Sequence, residues 1–397
     1  MWIVVAVLAL ILGYVWARLV RAPRWPRRAT WIATLAYLVF VAASLGALSF
    51  GDEGPATEPG PIRLVGLMGA GVLFYALVYF LAAGLTLRLS RLARRWRARR
   101  DPRPALPTPP PTSSGAIDRR TFVARVTAAG VSVAATTTAA VGFRNAWDLD
   151  LPEVVVSLPK LPRALDGFRI VQMSDVHVGR VLTDLFLDHV VEQTLRLRPD
   201  AVVITGDLIE GRAARLAPEL APLGRLAERC GVYYVTGNHE YYAGDAVDWV
   251  ERLRALGVRV LVNERAALGD RDPRGAQFDL AGIPDQDAAR FVASHAPDLG
   301  QALAGRDAER ALVVLAHRPA QIEQATRHHA DLQISGHTHG GQAFPFSLLV
   351  HLAEPYVAGL HRHGDETQIY VSRGTGFFGP PLRVLAPAEL TSIMLTS

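Results

Sequence analysis

Residues 332–340 read Leu332-Gln333-Ile334-Ser335-Gly336-His337-Thr338-His339-Gly340, a short run of strand character that stops at a glycine and delivers two histidines. The same arrangement recurs upstream. Phe168 to Met173 leads into Ser174-Asp175-Val176-His177, and Ala201 to Thr205 leads into Gly206-Asp207. Val232 to Thr236 leads into Gly237-Asn238-His239-Glu240, and Leu312 to Ala316 leads into His317. Each is an apolar, β-branched run ending in a side chain able to bind a metal or move a proton. One Asp-x-His or Gly-Asp alone is weak, and a lone buried histidine more often serves packing. Five such endings in one chain point to a single site.

The stretches between these runs, Asp184 to Arg198, Arg215 to Arg229, Ala246 to Leu256 and Pro319 to His329, read as helices, the first stopped by Pro199 and the third by Gly257. Strands alternating with helices indicate an α/β domain whose strands tend to lie parallel, with their carboxyl ends on one side of the sheet. The ligand-bearing turns can then converge. Gly206, Gly237 and Gly336 allow sharp turns and close backbone approach there. The other seven of the twelve histidines (His189, His295, His328, His329, His351, His361 and His363) lie in helical or loop contexts and receive no metal role.

The 397-residue chain changes character near residue 150. Residues 1–150 hold eighteen arginines against seven acids, whereas residues 151–397 hold 24 basic against 30 acidic side chains. A net charge of −6 on the second part argues against a polyanionic partner, so nucleic-acid binding is not expected. The single cysteine, Cys230, excludes an internal disulfide framework and a cysteine-cluster metal site.

In the first part, Trp2 to about Val20, Trp31 to Phe50 and Ile62 to Leu87 are apolar on all sides and long enough to cross ~30 Å of hydrocarbon. This predicts an all-α transmembrane region over residues 1–100. The first loop carries Arg18, Arg21, Arg24, Arg27 and Arg28. The second carries Asp52, Glu53 and Glu58 with Arg63, and the third is arginine-rich from Arg88 to Arg103. Positive charge marks the cytoplasmic side, giving the order out, in, out, in. Residues 101–150 hold a Pro-rich linker around Pro102 to Pro111, then Asp118-Arg119-Arg120-Thr121-Phe122-Val123 and a mildly apolar run from Ala128 to Phe143. This resembles a twin-arginine export signal, which would engage the twin-arginine machinery. If the segment from Phe122 to Phe143 crosses, residues 151–397 face away from the cytoplasm in a multi-pass protein of the cell membrane. The alternative is a weak helix lying on the cytoplasmic face.

The turns as a set, Asp175-x-His177, Gly206-Asp207, Gly237-Asn238-His239-Glu240, His317 and Gly336-His337-Thr338-His339, resemble the calcineurin-like metallophosphoesterase signature in order and residue type. The resemblance covers about residues 165 to 395, extends to Gly340-Gly341-Gln342 and Ser372-Arg373-Gly374-Thr375-Gly376, and is nearest to a bacterial membrane-associated subgroup. It implies an α/β sandwich of two mixed β-sheets flanked by helices over residues 151–397. It also implies that Asp175, His177 and His339 hold one divalent metal, that Asn238, His317 and His337 hold a second, and that Asp207 bridges them. Carboxylate, amide and imidazole donors without thiolate suit Mn, Fe or Zn and do not choose among them.

Two such metals ~3.5–4 Å apart can share a hydroxide that is nucleophilic near neutral pH and clamp phosphate oxygens. His239 follows a ligand without being needed as one, which makes it the candidate acid for the leaving group. Glu210, three residues after Asp207, either holds His239 by a hydrogen bond or is a solvated loop carboxylate. The reading is a membrane-anchored phosphomonoesterase or phosphodiesterase acting on a phosphorylated small molecule, lipid or envelope polymer beside the bilayer. A metal-containing sensor or binding module without turnover is the alternative, and a missing ligand or acid would favour it. None is missing. Transport through the apolar half lacks support, because its runs carry almost no ionisable residues.

Overall fold

In the computed structural model of the chain, residues 2–49, 60–100, 117–179, 181–270 and 275–397 are described. The expected Pro-rich linker at 102–111 and the acids of the second loop at 52–58 lie outside them. The chain divides into two compact units, one of residues 1–49 and 64–141, the other of residues 50–63 and 142–397.

The first unit is helical. Trp2–Trp16 (α1) passes into a π-helical turn, Ala17–Arg21, and is followed by Arg27–Ser49 (α2), Gly60–Arg100 (α3) and Arg119–Asn145 (α4). Among the described residues three helices are long and apolar enough to cross a membrane, over Arg27–Leu48, Arg63–Arg97 and Arg119–Asn145. This set differs from the expected one. The α-helical part of the first segment stops after 15 residues, where Arg18 and Arg21 end the apolar run, whereas Phe122 to Phe143 lies inside a helix of 27 residues. α3 overruns its expected end at Leu87 because the Arg, Leu and Ala residues that follow are strong helix formers. Its start packs closely on α2: a Cβ on Gly66 would fall on Ala47 Cβ and the Ala43 backbone, the approach that small residues permit between helices in lipid.

The second unit is built on strands. Its first half contains Leu149–Asp150 (β1), Glu153–Ser157 (β2), Phe168–Met173 (β3), Ala201–Thr205 (β4), Gly231–Val235 (β5), Arg259–Val260 (β6) and Glu264–Gly269 (β7). Its second half contains Gln277–Gly282 (β8), Leu312–Leu315 (β9), Leu332–Ser335 (β10), Gly359–His363 (β11), Thr367–Val371 (β12), Ala388–Glu389 (β13) and Thr391–Thr396 (β14). They form two six-stranded sheets in the orders β2-β14-β3-β4-β5-β6 and β11-β12-β10-β9-β8-β7, with β1 paired to β13. Both sheets are mixed: β14 runs antiparallel to β3, β7 to β8 and β11 to β12, and the other neighbours in each sheet are parallel.

Side-chain alternation explains the layers. Ile170, Val203 and Val235 pack inward against Phe278, Leu280, Val313 and Ile334 of the other sheet. Val171, Val202, Ile204 and Tyr234 point outward onto a helical layer that supplies Leu187, Val190, Leu223 and Trp249. Leu312, Val314 and Ile369 meet Ile322 and Ala325 on the far face. The strands read as continuous apolar runs because both of their faces are covered. The expected helix at Arg215 to Arg229 is broken into Ala213–Leu216, a 3-10 turn at Ala217–Leu220, and Ala221–Ala227. Pro218 and Pro222 sit at the starts of the second and third pieces, where their missing N–H is least costly. Pro319 likewise opens a 3-10 turn before the helix Ile322–Arg327.

The end of α4 belongs to the second unit. Arg383 N donates to Gly142 O at 2.9 Å and Asn145 Nδ2 donates to Arg383 O at 3.3 Å. Trp147 then inserts its ring edge-on against Phe186 and Phe377, with centroids 6.0 and 5.6 Å away.

Candidate metal centre

Every expected ligand stands in the turn just after a strand, and the backbone there is sharply bent. Asp175, His177, Asp207, His337 and His339 have φ of 52°, 53°, 48°, 72° and 51°. This left-handed region costs a non-glycine residue of order 1–3 kcal/mol unless its surroundings hold it. Amides from neighbouring turns do so: Asp175 N donates to Gly206 O at 3.0 Å, His177 N to Asp207 O at 3.1 Å and Gly336 N to His317 O at 3.0 Å. Gly206 has φ 86°, and a Cβ there would stand 2.6 Å from Gly237 N and 2.7 Å from His317 Nδ1. A Cβ on Gly237 would fall on the Asp207 carboxylate, and one on Gly336 on Ser174 Oγ.

The turns after β3, β4 and β5 come from one sheet and those after β9 and β10 from the other, and they meet. Asp175, His177 and His339 form one group of donors and Asp207, His317 and His337 a second, the atoms of each group lying within 4.8 Å of one another. In the first group His177 Nε2 is 3.1 Å from His339 Nε2, which is 3.5 Å from Asp175 Oδ1. In the second, His317 Nε2 is 3.2 Å from Asp207 Oδ2, 3.2 Å from His337 Nδ1 and 3.2 Å from Asn238 Oδ1. The far atoms are already engaged. His317 Nδ1 donates to Thr205 O at 2.7 Å, and His177 Nδ1 is 2.8 Å from Glu210 Oε2. Both histidines therefore turn Nε2 inward toward the other donors, the orientation of a metal-binding imidazole held by an outer partner. Ring nitrogens, a carboxylate and an amide oxygen crowded about one point, with protons too few to link them all, fit a pair of divalent cations.

Glu210 Oε2 also lies 2.9 Å from His239 Nδ1. One carboxylate oxygen thus serves both a candidate ligand and the candidate acid, and the side chain is 35% exposed. The structure brings all nine expected site residues into this cleft. Of the histidines given no metal role, His295 instead meets Tyr241 Oη at 2.9 Å, and His363 meets Tyr356 Oη at 3.0 Å.

The family model for calcineurin-like phosphoesterases matches residues 168–341. A zebrafish (Danio rerio) "transmembrane protein with metallophosphoesterase domain" is 34% identical over 97% of this chain and 87% of its own length. The chain belongs to the calcineurin-like phosphoesterase family. Another transmembrane protein with a metallophosphoesterase domain, from Bos taurus, is 35% identical over 71% of this chain and 65% of its own. An uncharacterized metallophosphoesterase of Helicobacter pylori is 40% identical over 62% of this chain and 63% of its own. Relatives of this phosphoesterase are therefore found in animals as well as bacteria.

Charge in the phosphoesterase site is set by burial and by the neighbours that outweigh it. Burial disfavours the Asp207 anion, but His317 and His239 reverse this and hold it well below the usual carboxylate range. Glu210, also opposed by burial, is brought down to about 2 by hydrogen bonds from His177 and His239. His239 rises to about 9, because Asp207 and Glu210 overcome its desolvation. His317 rises to about 10, chiefly through Asp207. Burial and the charge of His317 press His337 down to about 3, while burial and Arg383 keep His339 neutral.

Several supporting residues escaped the sequence reading. Glu240, fully buried, accepts the amides of Gly237 at 2.7 Å, Leu208 at 2.8 Å and Asp207 at 3.1 Å. Its signal was its place directly after His239. Arg383 is buried beneath the site, donating to the carbonyls of His339, Arg373, Gly374 and Gly376 and lying 3.2 Å from His339 Nδ1; no local pattern marks it. Phe378 and Tyr242 are 52% and 57% exposed, with ring centroids 5.1 and 5.6 Å from that of His239.

Proposed function

We propose that the chain is a membrane-anchored, binuclear-metal phosphoesterase that hydrolyses phosphomonoester or phosphodiester bonds. The observation that carries this reading is the pair of donor groups with His239, oriented by Glu210, beside them. Asp175, His177 and His339 would hold one cation, Asn238, His317 and His337 the other, and Asp207 would bridge them. When bound, two such cations supply Lewis-acid polarisation of a phosphoryl oxygen and a water-derived nucleophile near neutral pH. Their identity, Mn, Fe or Zn, is open to the donor set.

The chain's own residues supply the remainder. Asp207 sets negative charge where two cations would otherwise repel. Glu210 fixes the rings of His177 and His239 through their Nδ1 atoms, so a ligand and the acid are oriented together. In the metal-free protein Asp207 and Glu210 overcome burial and favour the protonated form of His239, which with Nδ1 on Glu210 could pass a proton from Nε2 to the leaving-group oxygen. The exposed rings of Phe378 and Tyr242 beside His239 offer a surface on which an apolar or aromatic portion of a phosphoester could pack.

The bacterial, twin-arginine reading of residues 118–123 and an outward-facing catalytic unit belong to this proposal. They are supported by the arginines of the first and third loops and by the apolar length of α4. The full-length chain, purified and loaded with Mn, should turn over at least one class in a panel of phosphate monoesters, diesters, nucleotides and phospholipids, and a chelator should abolish that turnover. Two tightly bound metals with no turnover on any class would point to a sensor.

A further inference from the structure

We infer that the helical unit holds a binding site for the phosphate of an anionic lipid headgroup, in a cavity of about 710 Å³ lined by Arg18, Arg21, Arg24, Arg91 and Arg120. These arginines come from three separate stretches: the π-helical turn and the loop after it, the polar end of α3, and the first turn of α4. Among the described residues the cavity lining contains no carboxylate. Arg24 Nη1 reaches Asp118 Oδ2 outside it at 3.3 Å. One ion pair leaves a large surplus of like charge in one place, which an anion would relieve.

The site is built, not merely a scatter of surface arginines. Arg18 and Arg21 lie on a π-helical turn, a rare form that recurs at functional sites. Arg24 is held in the left-handed region at φ 51°. Arg125, from α4, clamps that loop: Nε donates to Pro23 O at 3.0 Å, Nη2 to Arg24 O at 3.4 Å, and its guanidinium lies 4.7 Å from the centroid of the Trp25 ring.

The apolar wall selects a lipid over a free phosphate. Phe80 and Leu87 also line the cavity, and both belong to the spanning stretch Arg63–Arg97. Arg18 sits over the Phe80 ring at 5.9 Å. Guanidiniums thus meet the buried Phe80 ring and the half-buried Leu87 at the polar end of a candidate span, which suits a headgroup phosphate with the start of its acyl chains alongside. The inference is independent of the reaction at the metal centre.

The test is native mass spectrometry of the full chain in detergent, offered phosphatidylglycerol, phosphatidylcholine or inorganic phosphate. Phosphatidylglycerol should be retained over phosphatidylcholine by about tenfold or more, and millimolar inorganic phosphate should not displace it. The triple variant R18Q/R21Q/R91Q should lose the preference while unfolding at the wild-type temperature. If that variant does not fold, R91Q alone, at an exposed side chain, should weaken retention several-fold. Equal retention of the two lipids, or a preference that survives these substitutions, overturns the inference. Displacement by inorganic phosphate overturns the lipid assignment in favour of a soluble anion.

Discussion

In the proposed site one residue type would take opposite roles within a few ångströms. His317 and His177 turn a nitrogen inward to the donor groups, whereas His239 contacts Glu210 through Nδ1 and is absent from both expected ligand sets. His239→Ala should therefore keep both metals by elemental analysis while kcat falls by roughly 10²–10⁴-fold. Loss of metal from that variant would make it a ligand after all. Protonation gives a second expectation. In the metal-free protein His317 has its pKa raised to about 10 by Asp207, overcoming burial, so it is charged at pH 8, whereas His337 and His339 are neutral. A cation at His317 must displace that proton, so loading at pH 8 should release at least one proton and weaken as pH falls. Calorimetry in two buffers of different ionisation enthalpy measures the release, and identical heats would contradict it. The residue types of the site were legible because carboxylates, amides and imidazoles stand out at the ends of apolar runs. Glu210's shared hydrogen bond was not, since it joins residues 33 positions apart.

The turns after β4 and β5 act as one element, because a single buried carboxylate ties them. Glu240 accepts amides from Gly237, Asp207 and Leu208, while the Asp207 carboxylate fills the space that glycine leaves at 237. Glu240→Gln would aim an amide NH₂ at one of those N–H groups, leaving it unsatisfied at a cost of about 1–3 kcal/mol. The melting temperature should drop by several degrees and metal loading should weaken; an unchanged thermal transition would show that the carboxylate does not hold the turn. Strands were legible nearly to the residue: Phe168–Met173, Ala201–Thr205 and Leu332–Ser335 match the apolar runs. A helix with internal prolines was not, since Pro218 and Pro222 open new turns within a stretch that reads as continuous.

At the scale of the whole molecule, the side of the membrane that carries the chemistry depends on whether α4 crosses. On the proposed topology, in which arginine placement makes the first and third loops cytoplasmic, an outward catalytic unit would require only that one further helix span. An enzyme active only outside the cytoplasm, fused after Asp150, should be active, and Arg119→Lys with Arg120→Lys should reduce its export. An inactive fusion beside an active cytoplasmic reporter would place the unit inside and leave the site chemistry intact. By itself, the sequence determined the apolar helical start, the strand-and-turn alternation and the ligand types, because burial on both faces of a strand and solvation by lipid leave their mark on neighbouring residues. Only the tertiary structure decided that the ligand-bearing strands split between two sheets. It also decided that Arg383 lies under His339 from 44 positions away, and that Phe378 and Tyr242 rim the cleft. Those relations arise when distant segments close on one another, and a buried arginine or an exposed aromatic ring looks no different, along the chain, from one that does nothing.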